Sequence, residues 1–462
     1  MPTTQVLPPG PRGLPVIGNL LQMRRDPLRF LQRVQRQYGD VATVRLLNRR
    51  VILFSRPEDA HYFLVARARN FAAAAGRQEM RRLLGDGLLT TDGEVHRQQR
   101  RQVQPAFHKR RVEGYAEIMV RQTEQMLATW RPGMQVDVAH ALQELTLRIV
   151  VQALFNVDLR TQGGDLSRAF NEVIENRPPL LLPQVRLDLP FTAYHRVLAG
   201  RRILDAFVYR LIAERRADGR DTGDVLSMLL EAQDEDGHTM TDLQVRDQTM
   251  TLIAAGHETT SNALAWTLYL LSEHPTVREQ LLAELATVLS GRPPTLDDLP
   301  RLPFLDGVLN EAMRLFPPAW VIGRTALEPF ERAGYTFPAG TRVLISQWVI
   351  HHLPELWQAP DEFRPERWDP ASGRKLPPGA YFPFGGGPRM CIGMPFAQLE
   401  LRLLLATILQ QYLPRLVPSW PVTPMPRVTL RLKHGLRMIL DPTPVSGAPH
   451  QPAPSPALVA GV

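Results

Sequence analysis

The sequence Phe384-Gly-Gly-Gly-Pro-Arg-Met-Cys-Ile-Gly393 places the only cysteine of this 462-residue chain, Cys391, in a glycine-rich loop. The apolar positions that follow the loop predict a helix from about Phe396 to Leu413. Backbone N–H groups and the dipole at the start of a helix favour a thiolate over a thiol. Cys391 is therefore a candidate metal ligand or nucleophile, although a lone cysteine can also be a small buried hydrophobic residue.

The neighbours of the cysteine favour the ligand. We expect Gly387 and Gly393 to let the backbone approach a flat group closely, and Phe384 to keep water away from the sulfur. Arg389 can pair with an anionic group on the same ligand. A glycine-rich loop can also bind phosphate, but no Gly-Lys-Ser/Thr sequence follows, which rejects a phosphate-binding loop of that kind.

The composition is that of an ordinary globular protein, with 44% hydrophobic and 22% charged residues. A single cysteine cannot form an internal disulfide, which favours a reducing compartment, and we expect a cytoplasmic protein. Residues 1–13 lack the apolar region of a signal peptide, and no run of about 18 apolar residues occurs, so we expect no membrane span. The net charge of +8 accompanies no nucleic-acid-binding motif, so we expect no nucleic acid partner.

Hydrophobic spacing predicts a mainly α protein with a smaller β part. Helical spacing covers residues 27–38 and almost all of residues 94–290, and neither a repeat nor a long linker divides the chain. We therefore expect one compact domain over residues 1–442, with a β-rich lobe near the N-terminus. Residues 443–462 are rich in proline and alanine with little to bury, and we expect them to be disordered.

Two hairpins are predicted for the β part. The first joins Val41–Leu47 to Arg50–Phe54 through a turn at Asn48-Arg49. The second lies within Tyr335–Ile345, around the turn sequence Pro338-Ala339-Gly340. Both patterns are short, so the sheets that they build should be the minor part of the fold.

A long apolar pattern from about Leu243 to Leu271 predicts a central helix, and His274-Pro275 ends it. Thr241 and Gln244 have the spacing of a capping box at its start. The pattern is interrupted by the polar sequence Ala255-Gly-His-Glu-Thr-Thr-Ser261, whose residues are poor helix formers. The interruption serves either a kink required by packing or a pocket in which a hydroxyl and a carboxylate relay protons.

A zinc site on this helix is excluded by its spacing. His257 and Glu258 begin the pattern of a zinc-binding helix, but Ser261 stands where the second histidine should be. The zinc-helix interpretation of the polar sequence is therefore rejected.

Charged residues further along the chain form another pattern. Glu311 and Arg314 lie three residues apart on a helix predicted from Pro303 to Phe316, and they can pair on one face. Such a pair alone is common on protein surfaces. The sequence Phe363-Arg-Pro-Glu-Arg-Trp368 supplies a further arginine, Arg367, shortly before the cysteine loop.

The cysteine loop resembles the signature of the cytochrome P450 superfamily, Phe-x-x-Gly-x-Arg-x-Cys-x-Gly, at every fixed position. The similarity runs from Leu7 to about Asp441. It implies the cytochrome P450 fold, a single helical body around a buried haem b, with Cys391 as the axial ligand of the iron. It also implies a haem-thiolate monooxygenase with dioxygen as co-substrate.

The resemblance implies roles for the other motifs. Glu311, Arg314 and Arg367 look like the family's buried Glu-x-x-Arg network, which fixes the segment before the cysteine. By the same likeness, Thr259 organises the bound dioxygen and Glu258 helps to bring protons.

The implied haem-binding set joins three residues of the cysteine loop to four basic residues that resemble the family's propionate-binding positions. These are Phe384, Gly385, Gly393, His96, Arg100, Arg324 and Arg389. The segment from His96 to Arg100 also fits an ordinary solvated helix face.

Electrons are expected to come from NAD(P)H through a reductase and a ferredoxin or flavodoxin-type donor, because no reductase sequence follows the haem-binding pattern. Six basic residues and no acidic residue lie between Arg97 and Arg111. They form either a docking patch for an acidic donor or a solvated basic helix face.

The substrate pocket of the family draws on apolar residues from several segments. In this sequence they are Phe71, Leu180, Leu181, Leu182, Met250, Ile253, Ala254, Trp320, Val321 and Ile322. Such a lining suits a terpenoid, fatty acid, steroid or macrolide-like molecule, and each residue also fits a place in the core.

Two other classes remain open from the sequence. A haem-thiolate peroxygenase or isomerase takes no electrons from a partner, but it has no use for the proton relay of Glu258 and Thr259. A non-enzymatic haem sensor usually carries an output module, for which this chain has no room.

Overall fold

The computed structural model describes residues 7–73, 80–81, 84–159, 166, 168–169, 172–173, 188–219, 223–233 and 237–444. Leu180, Leu181 and Leu182, which the sequence suggests as pocket residues, lie outside the described residues. So do residues 445–462, and the disorder expected for the tail stays a prediction.

Helices make up most of the described structure, as the hydrophobic spacing predicts. In chain order they are α1 Leu20–Arg25, α2 Pro27–Tyr38, α3 Pro57–His61, α4 Gly93–Val103, α5 Lys109–Glu113, α6 Ala116–Leu127, α7 Val138–Phe155, α8 Ala193–Asp218, α9 Val225–Glu231, α10 Asp242–Glu273, α11 Pro275–Leu289, α12 Pro303–Leu315, α13 Gln347–Ile350 and α14 Met394–Gln411. Buried apolar residues of α6, α7, α8, α10, α12 and α14 belong to the larger of two hydrophobic cores.

The central helix α10 has the start that the sequence predicts. The Thr241 hydroxyl accepts a hydrogen bond from the Gln244 N–H at 3.3 Å, and the Gln244 side chain accepts one from the Thr241 N–H at 2.8 Å. The helix continues without a break through its polar sequence to Glu273. A Cβ atom on Gly256 would lie 2.8 Å from Val150 Cγ2 of α7, so close packing of the two helices requires the glycine.

Helix α7 has the length and composition of a membrane span, with a mean hydropathy of 1.2 over 18 residues. The protein buries 61% of that window. Its packing against α10 explains the apolar sequence as that of a core helix.

Within the part of the chain that the structure describes, the strands form four small sheets. In chain order they are β1 Val41–Leu46, β2 Arg49–Phe54, β3 Phe71–Ala73, β4 Gln135–Asp137, β5 Ile322–Ala326, β6 Phe330–Arg332, β7 Tyr335–Phe337, β8 Arg342–Ile345, β9 Tyr412–Leu416, β10 Pro424–Pro426, β11 Leu430–Leu432 and β12 Arg437–Pro442. The largest sheet has the order β1-β2-β8-β5-β3, in which only β2 and β8 are parallel. Together with α2 it encloses the smaller hydrophobic core.

Both hairpin predictions need correction. In the first hairpin Leu46 faces Arg49, so the turn residues are Leu47 and Asn48 rather than Asn48 and Arg49. Leu47 adopts a φ of 56°, in the left-handed region. Leucine rarely adopts this conformation, so the sequence pattern does not predict it.

The second hairpin prediction is wrong because the two strands belong to different sheets. Strand β7 pairs with β6, whereas β8 pairs with β2 and β5. The intervening turn is closed by Thr341 N–H, which donates to the Pro338 carbonyl at 3.2 Å, and it is held by β5: Gly340 N–H donates to the Ala326 carbonyl, and Ala326 N–H donates to the Thr341 carbonyl. Proline and glycine mark the turn correctly, but they carry no information about its distant partner.

Candidate functional site

Cys391 lies between a short 3-10 helix, Gly387–Arg389, and the start of α14. Its N–H donates to the Phe384 carbonyl at 2.9 Å, which closes the loop and sets the sulfur at the N-terminal end of the helix. A Cβ atom on Gly393 would lie 3.9 Å from the sulfur and 3.8 Å from Phe107 Cε1, which are ordinary contact distances. Among the described residues, therefore, no close contact requires glycine at this position.

Two other glycines of the cysteine loop are explained by different structural features. Gly387 has a φ of +64°, and a Cβ atom there would lie 2.0 Å from the backbone oxygen of Leu64. The close approach of that backbone therefore explains the glycine, rather than the approach of a flat ligand expected from the sequence. Gly385 has a φ of +73°, and the nearest atom to a Cβ atom there would be Ile322 Cδ1 at 3.8 Å. Its backbone conformation alone favours glycine.

Two opposing influences act on the thiol. Desolvation by the surrounding protein atoms raises the pKa of the Cys391 thiol, although the residue keeps exposed surface. The backbone N–H groups of Gly393 and Met394 and the positive charge of Arg100 lower it. These groups would stabilise the thiolate form of Cys391 that holds a haem iron.

Three guanidinium groups gather near the cysteine loop. Arg100 donates from Nη1 to the Met390 carbonyl at 2.8 Å. Arg389 donates to Asp92 at 2.6 Å and to the Thr91 carbonyl at 2.8 Å. Burial is the main cause that lowers the pKa of Arg324 and of Arg389. The charge of Arg389 also lowers the pKa of Arg324, and the charge of Arg100 also lowers the pKa of Arg389. The three positive charges are therefore close enough to influence one another.

Arg324 is the most deeply placed of the three. It lies on β5, its side chain is buried, and the one hydrogen bond recorded for it among the described residues joins Nη1 to the Gly323 carbonyl at 3.0 Å. Burial and, to a smaller extent, the charge of Arg389 lower its pKa to about 10, while Asp92 opposes them. Three guanidinium groups beside one carboxylate fit a ligand with carboxylates of its own, such as the two propionates of haem.

His96 is buried on α4, one turn before Arg100. Its N–H donates to the Asp92 carbonyl at 3.3 Å, so α4 begins beside the carboxylate that binds Arg389. All four basic residues predicted for the propionates thus lie on segments that meet around Asp92. Asp92 itself was missed from the sequence, where it stands only as a residue before a helix.

The central helix contributes a hydroxyl and a carboxylate from adjacent residues. The Thr259 hydroxyl donates to the Ala255 carbonyl at 2.9 Å and remains partly exposed. Glu258 is buried and points to β11, where Arg431 Nε donates to it at 2.5 Å. The hydroxyl of Thr429, the residue before β11, also donates to it. Burial raises the pKa of Glu258, but Arg431 and Thr429 outweigh burial and lower it. Glu258 is therefore ionised.

The Glu311 carboxylate is the centre of a buried network. Arg314 donates to both of its oxygens, at 2.9 and 2.7 Å, and Arg367 Nε donates to Oε1 at 3.0 Å. Trp368 Nε1 donates to Oε2 at 2.8 Å, a contact that the sequence analysis missed although Trp368 adjoins Arg367. Arg314 also donates to the carbonyls of three residues of the segment before the cysteine loop, His351, Pro360 and Glu362. The network therefore joins α12 to that segment.

The apolar residues expected in a substrate pocket separate into two groups. Ala254, Val321 and Ile322 are partly exposed, and Ala255, which was missed, is exposed in the middle of α10. Met250 and Ile253 are fully buried in the larger core.

Two further expected pocket residues belong to the fold. Phe71 packs its ring against Tyr62, Phe63 and Phe330, and it is buried. Trp320 is buried and donates from Nε1 to the Arg427 carbonyl at 3.0 Å. These contacts agree with the core role that the sequence left open, and the pocket role of both residues stays a prediction.

More of the positive charge in the basic stretch from Arg97 to Arg111 is paired with acidic residues than its sequence suggests. Glu94, one turn earlier on α4, pairs with Arg97 and Arg101, and Glu113 pairs with Lys109. These acidic residues lie just outside the stretch, and helical spacing brings them back to it.

A cysteine at the start of a helix, together with three guanidinium groups that one carboxylate compensates only in part, fits a haem-thiolate site. The sequence matches the family Cytochrome P450 over residues 8–435. It is 39% identical to cyclooctatin synthase of Streptomyces melanosporofaciens over 437 residues, 94% of this chain and 95% of that protein. It is 33% identical to pentalenene oxygenase of Streptomyces avermitilis over 444 residues, 93% and 96% of the two chains.

The structure is similar to the retinoic-acid-bound cyanobacterial CYP120A1, with a TM-score of 0.85 and 29% identity, over 95% of this chain and 100% of the other. The chain belongs to the cytochrome P450 family. It is a haem-thiolate monooxygenase that inserts one atom of dioxygen into a hydrophobic small molecule and receives electrons from a separate redox partner. The predictions of fold class, cofactor and enzyme class are confirmed at this level.

Proposed function

We propose that the substrate is a cyclic terpenoid, and that the electrons pass from NAD(P)H through a reductase and a ferredoxin or flavodoxin-type donor. The names of two relatives support the substrate class: one is a cyclooctat-9-en-7-ol 5-monooxygenase, 35% identical over 439 residues, and another a pentalenene oxygenase. The partly exposed residues Ala254, Val321 and Ile322 are aliphatic, which suits a hydrocarbon without charged groups. A cytoplasmic location and one domain over residues 1–442 complete the proposal.

The observation that carries the proposed site is the placement of Cys391 at the start of α14, beside the cluster of Arg100, Arg324 and Arg389. In this proposal Cys391 would hold the haem iron through its thiolate, and the three guanidinium groups and His96 would bind the propionates. Haem supplies the activation of dioxygen when it is bound, and a thiolate ligand favours cleavage of the O–O bond. Phe384, Gly385 and Gly393 form the loop that keeps water from the sulfur.

On the substrate side we assign two roles to α10. The partly exposed hydroxyl of Thr259 accepts a hydrogen bond from a water, since its own proton goes to the Ala255 carbonyl. It donates to bound dioxygen only when that bond to Ala255 opens. Glu258 passes protons towards that hydroxyl when its contact with Arg431 opens. A peroxygenase or isomerase has no need of this pair, and a sensor has no need of turnover.

The ligand assignment is tested by the difference spectrum of the reduced protein with carbon monoxide. Thiolate ligation shifts the Soret band strongly to the red, and Cys391→Ser should lose that shift, with the band where a neutral ligand places it. Retention of the shift in Cys391→Ser would remove the assignment, because the chain has no other cysteine.

The substrate class is tested by turnover with a surrogate ferredoxin, its reductase and NADPH. We expect pentalenene or cyclooctat-9-en-7-ol to gain one oxygen atom, and a linear fatty acid of similar carbon number to remain unchanged. Preferential oxidation of the fatty acid would contradict the terpenoid proposal. Equal turnover with hydrogen peroxide and no reductase would favour the peroxygenase class instead.

The electron donor is tested by the dependence of reduction rate on salt. Three residues of the basic stretch, Arg100, Arg110 and Arg111, have no acidic partner recorded among the described residues: Arg100 donates to the Met390 carbonyl of the cysteine loop and Arg111 to the Gly223 carbonyl, and Arg110 is exposed. Reduction by an acidic ferredoxin should slow as salt increases, and Arg110→Gln should weaken that dependence. The exposed Arg202→Gln on α8 is the control of equal charge. A rate that is independent of salt would contradict electrostatic docking.

A further inference from the structure

The positive charge of the molecule is concentrated at its N-terminal end. Residues 1–57 contain ten arginines, no lysine and two acidic residues, a net charge of +8, which equals the formal net charge of the whole chain. The other 405 residues contain 44 basic and 44 acidic residues and are neutral together. The haem site and the donor site do not require this asymmetry.

The two acidic residues of this segment are already paired. Asp26 pairs with Arg29 and Asp40 with Arg56. The eight other arginines form no ion pair with an acidic residue among those that the structure describes. They are Arg12, Arg24, Arg25, Arg33, Arg36, Arg45, Arg49 and Arg50.

Several of these arginines meet at one end of the largest sheet. Arg45 and Arg50 are directly opposite each other across β1 and β2, and Arg49 follows the turn. Arg342 begins the neighbouring strand β8. Burial lowers the pKa of Arg342, and the charge of Arg49 also lowers it. Like charges in such positions destabilise a sheet. We call these four residues, Arg45, Arg49, Arg50 and Arg342, the cationic edge.

An apolar tip stands beside the cationic edge. Residues 14–18 form a tight loop in which Leu14 and Gly18 exchange backbone hydrogen bonds at 3.0 and 2.9 Å. The loop is fixed to the end of β1, because Gly18 bridges Leu46 and Arg45 donates to the Leu14 carbonyl. Val16 lines the same surface concavity as Arg45 and Arg50.

The tip exposes side chains that water does not favour. Val16 is 82% exposed and Leu14 is 53% exposed. Val16 has a φ of +63°, a conformation that is costly for a β-branched residue. Leu21 is 54% exposed on α1, and helical spacing sets it on one side with Arg24 and Arg25.

We propose that the cationic edge and the apolar tip dock this enzyme on an anionic lipid bilayer. Exposed aliphatic side chains flanked by arginines match the boundary between lipid acyl chains and anionic headgroups. A nucleic acid would leave Val16, Leu14 and Leu21 exposed to water. The docking goes beyond the proposed function, and it would bring the enzyme to the phase in which a hydrophobic substrate dissolves.

The test is flotation of the haem-loaded full chain with vesicles. We expect binding to vesicles of equal phosphatidylcholine and phosphatidylglycerol, little binding to phosphatidylcholine alone, and release in about 1 M salt, where screening acts within about 3 Å. Replacing Arg49 and Arg50 by glutamine should weaken partition about thirtyfold. The exposed pair Arg121 and Arg202, on α6 and α8, gives the control variant R121Q/R202Q with the same loss of charge.

A second variant separates the apolar tip from the charge. Val16→Asp alters an exposed side chain in a backbone conformation that aspartate adopts more readily than valine, so the fold should be retained. It should abolish flotation while its carbon monoxide spectrum stays that of the parent protein. Equal weakening by R121Q/R202Q, unchanged flotation of Val16→Asp, or tight binding to DNA with none to anionic vesicles would each overturn the proposal.

Discussion

Arg431 Nε lies 2.5 Å from Glu258 Oε1, and each side chain is 5% exposed. This contact joins the central helix α10 to strand β11 at the residue next to Thr259. The Thr429 hydroxyl donates to the same carboxylate oxygen. The acid assigned to proton delivery is therefore held in its ionised form, with its charge turned towards β11.

Replacing Arg431 by glutamine should destabilise the protein at high pH more than at low pH. Without the arginine, burial dominates and the pKa of Glu258 rises above its value in the unfolded chain. A group of that kind contributes stability below its unfolded pKa and loses it as pH rises through the folded pKa. We expect a loss of about 3–5 kcal/mol at pH 8 in urea unfolding, and a smaller loss near pH 5.

The exposed pair of Arg415 and Asp441 provides the matched control. Its N–O distance is 2.9 Å, but both side chains are more than two-fifths exposed. Arg415→Gln should cost less than about 1 kcal/mol at either pH. Equal losses for the two variants would show that the contact at Glu258 stabilises no buried charge.

Thr259→Ala should divert electrons from product to peroxide. The hydroxyl is partly exposed on α10, and its loss removes the group proposed to hold dioxygen and water. We expect product formation to fall roughly ten- to hundredfold while NADPH consumption persists. Peroxide yield per NADPH is the measurement. Thr260→Ala is the control, because that buried hydroxyl donates to Gly256 and lies off the proposed path. A tightly coupled Thr259→Ala enzyme would remove the assignment.

Local patterns were sufficient to predict the parts of the site that lie along the chain. The Cys391 loop, the Thr241 cap of α10 and the spacing of Glu311 and Arg314 each depend on residues within one or two turns. The helices of the body were likewise predicted, since their apolar spacing repeats over many residues.

Partners from distant segments could not be predicted in this way. Arg431 is 173 positions from Glu258, and Asp92 is 297 positions from Arg389. Neither ion pair produces a local sequence pattern, because two residues can pair in space at any separation along the chain. The same reason explains why β8 pairs with β2, far away, instead of with the nearby β7.

Glu311→Gln should cost more than the loss of one hydrogen bond. The change keeps the shape of the side chain but removes the charge between the buried Arg314 and Arg367. An uncompensated buried charge costs about 3–5 kcal/mol, so we expect that loss in unfolding and a reduced share of thiolate-type carbon monoxide spectrum. Arg402→Gln is the control, because its pair with Asp306 joins α12 to α14 but is one-third exposed. Retention of the full spectrum in Glu311→Gln would separate the network from haem-site assembly.

Arg324→Met should affect the haem-free and haem-bound proteins in opposite directions. Burial, with the charge of Arg389, lowers the pKa of Arg324 to about 10, which corresponds to about 3 kcal/mol of cost in the haem-free protein. Methionine removes that cost, so the apoprotein should be as stable or more stable. Haem should dissociate about tenfold faster or more, measured by transfer to excess apomyoglobin. Unchanged haem release would exclude Arg324 from the propionate site.

Glu400→Gln should flatten the pH dependence of stability. Glu400 lies on α14 with its side chain fully buried, and burial raises its pKa well above the ordinary value, which the nearby Thr260 hydroxyl offsets only in part. The folded protein therefore keeps a proton that the unfolded chain releases above about pH 4.5. Stability from this group is present below that pH and is lost as pH rises, by about 1.4 kcal/mol per pH unit until the folded pKa is reached.

Urea unfolding at pH 5 and pH 8 should show the parent protein losing stability relative to Glu400→Gln, which has no proton to release. A constant difference between the two proteins across that range would mean that Glu400 is ionised in the fold.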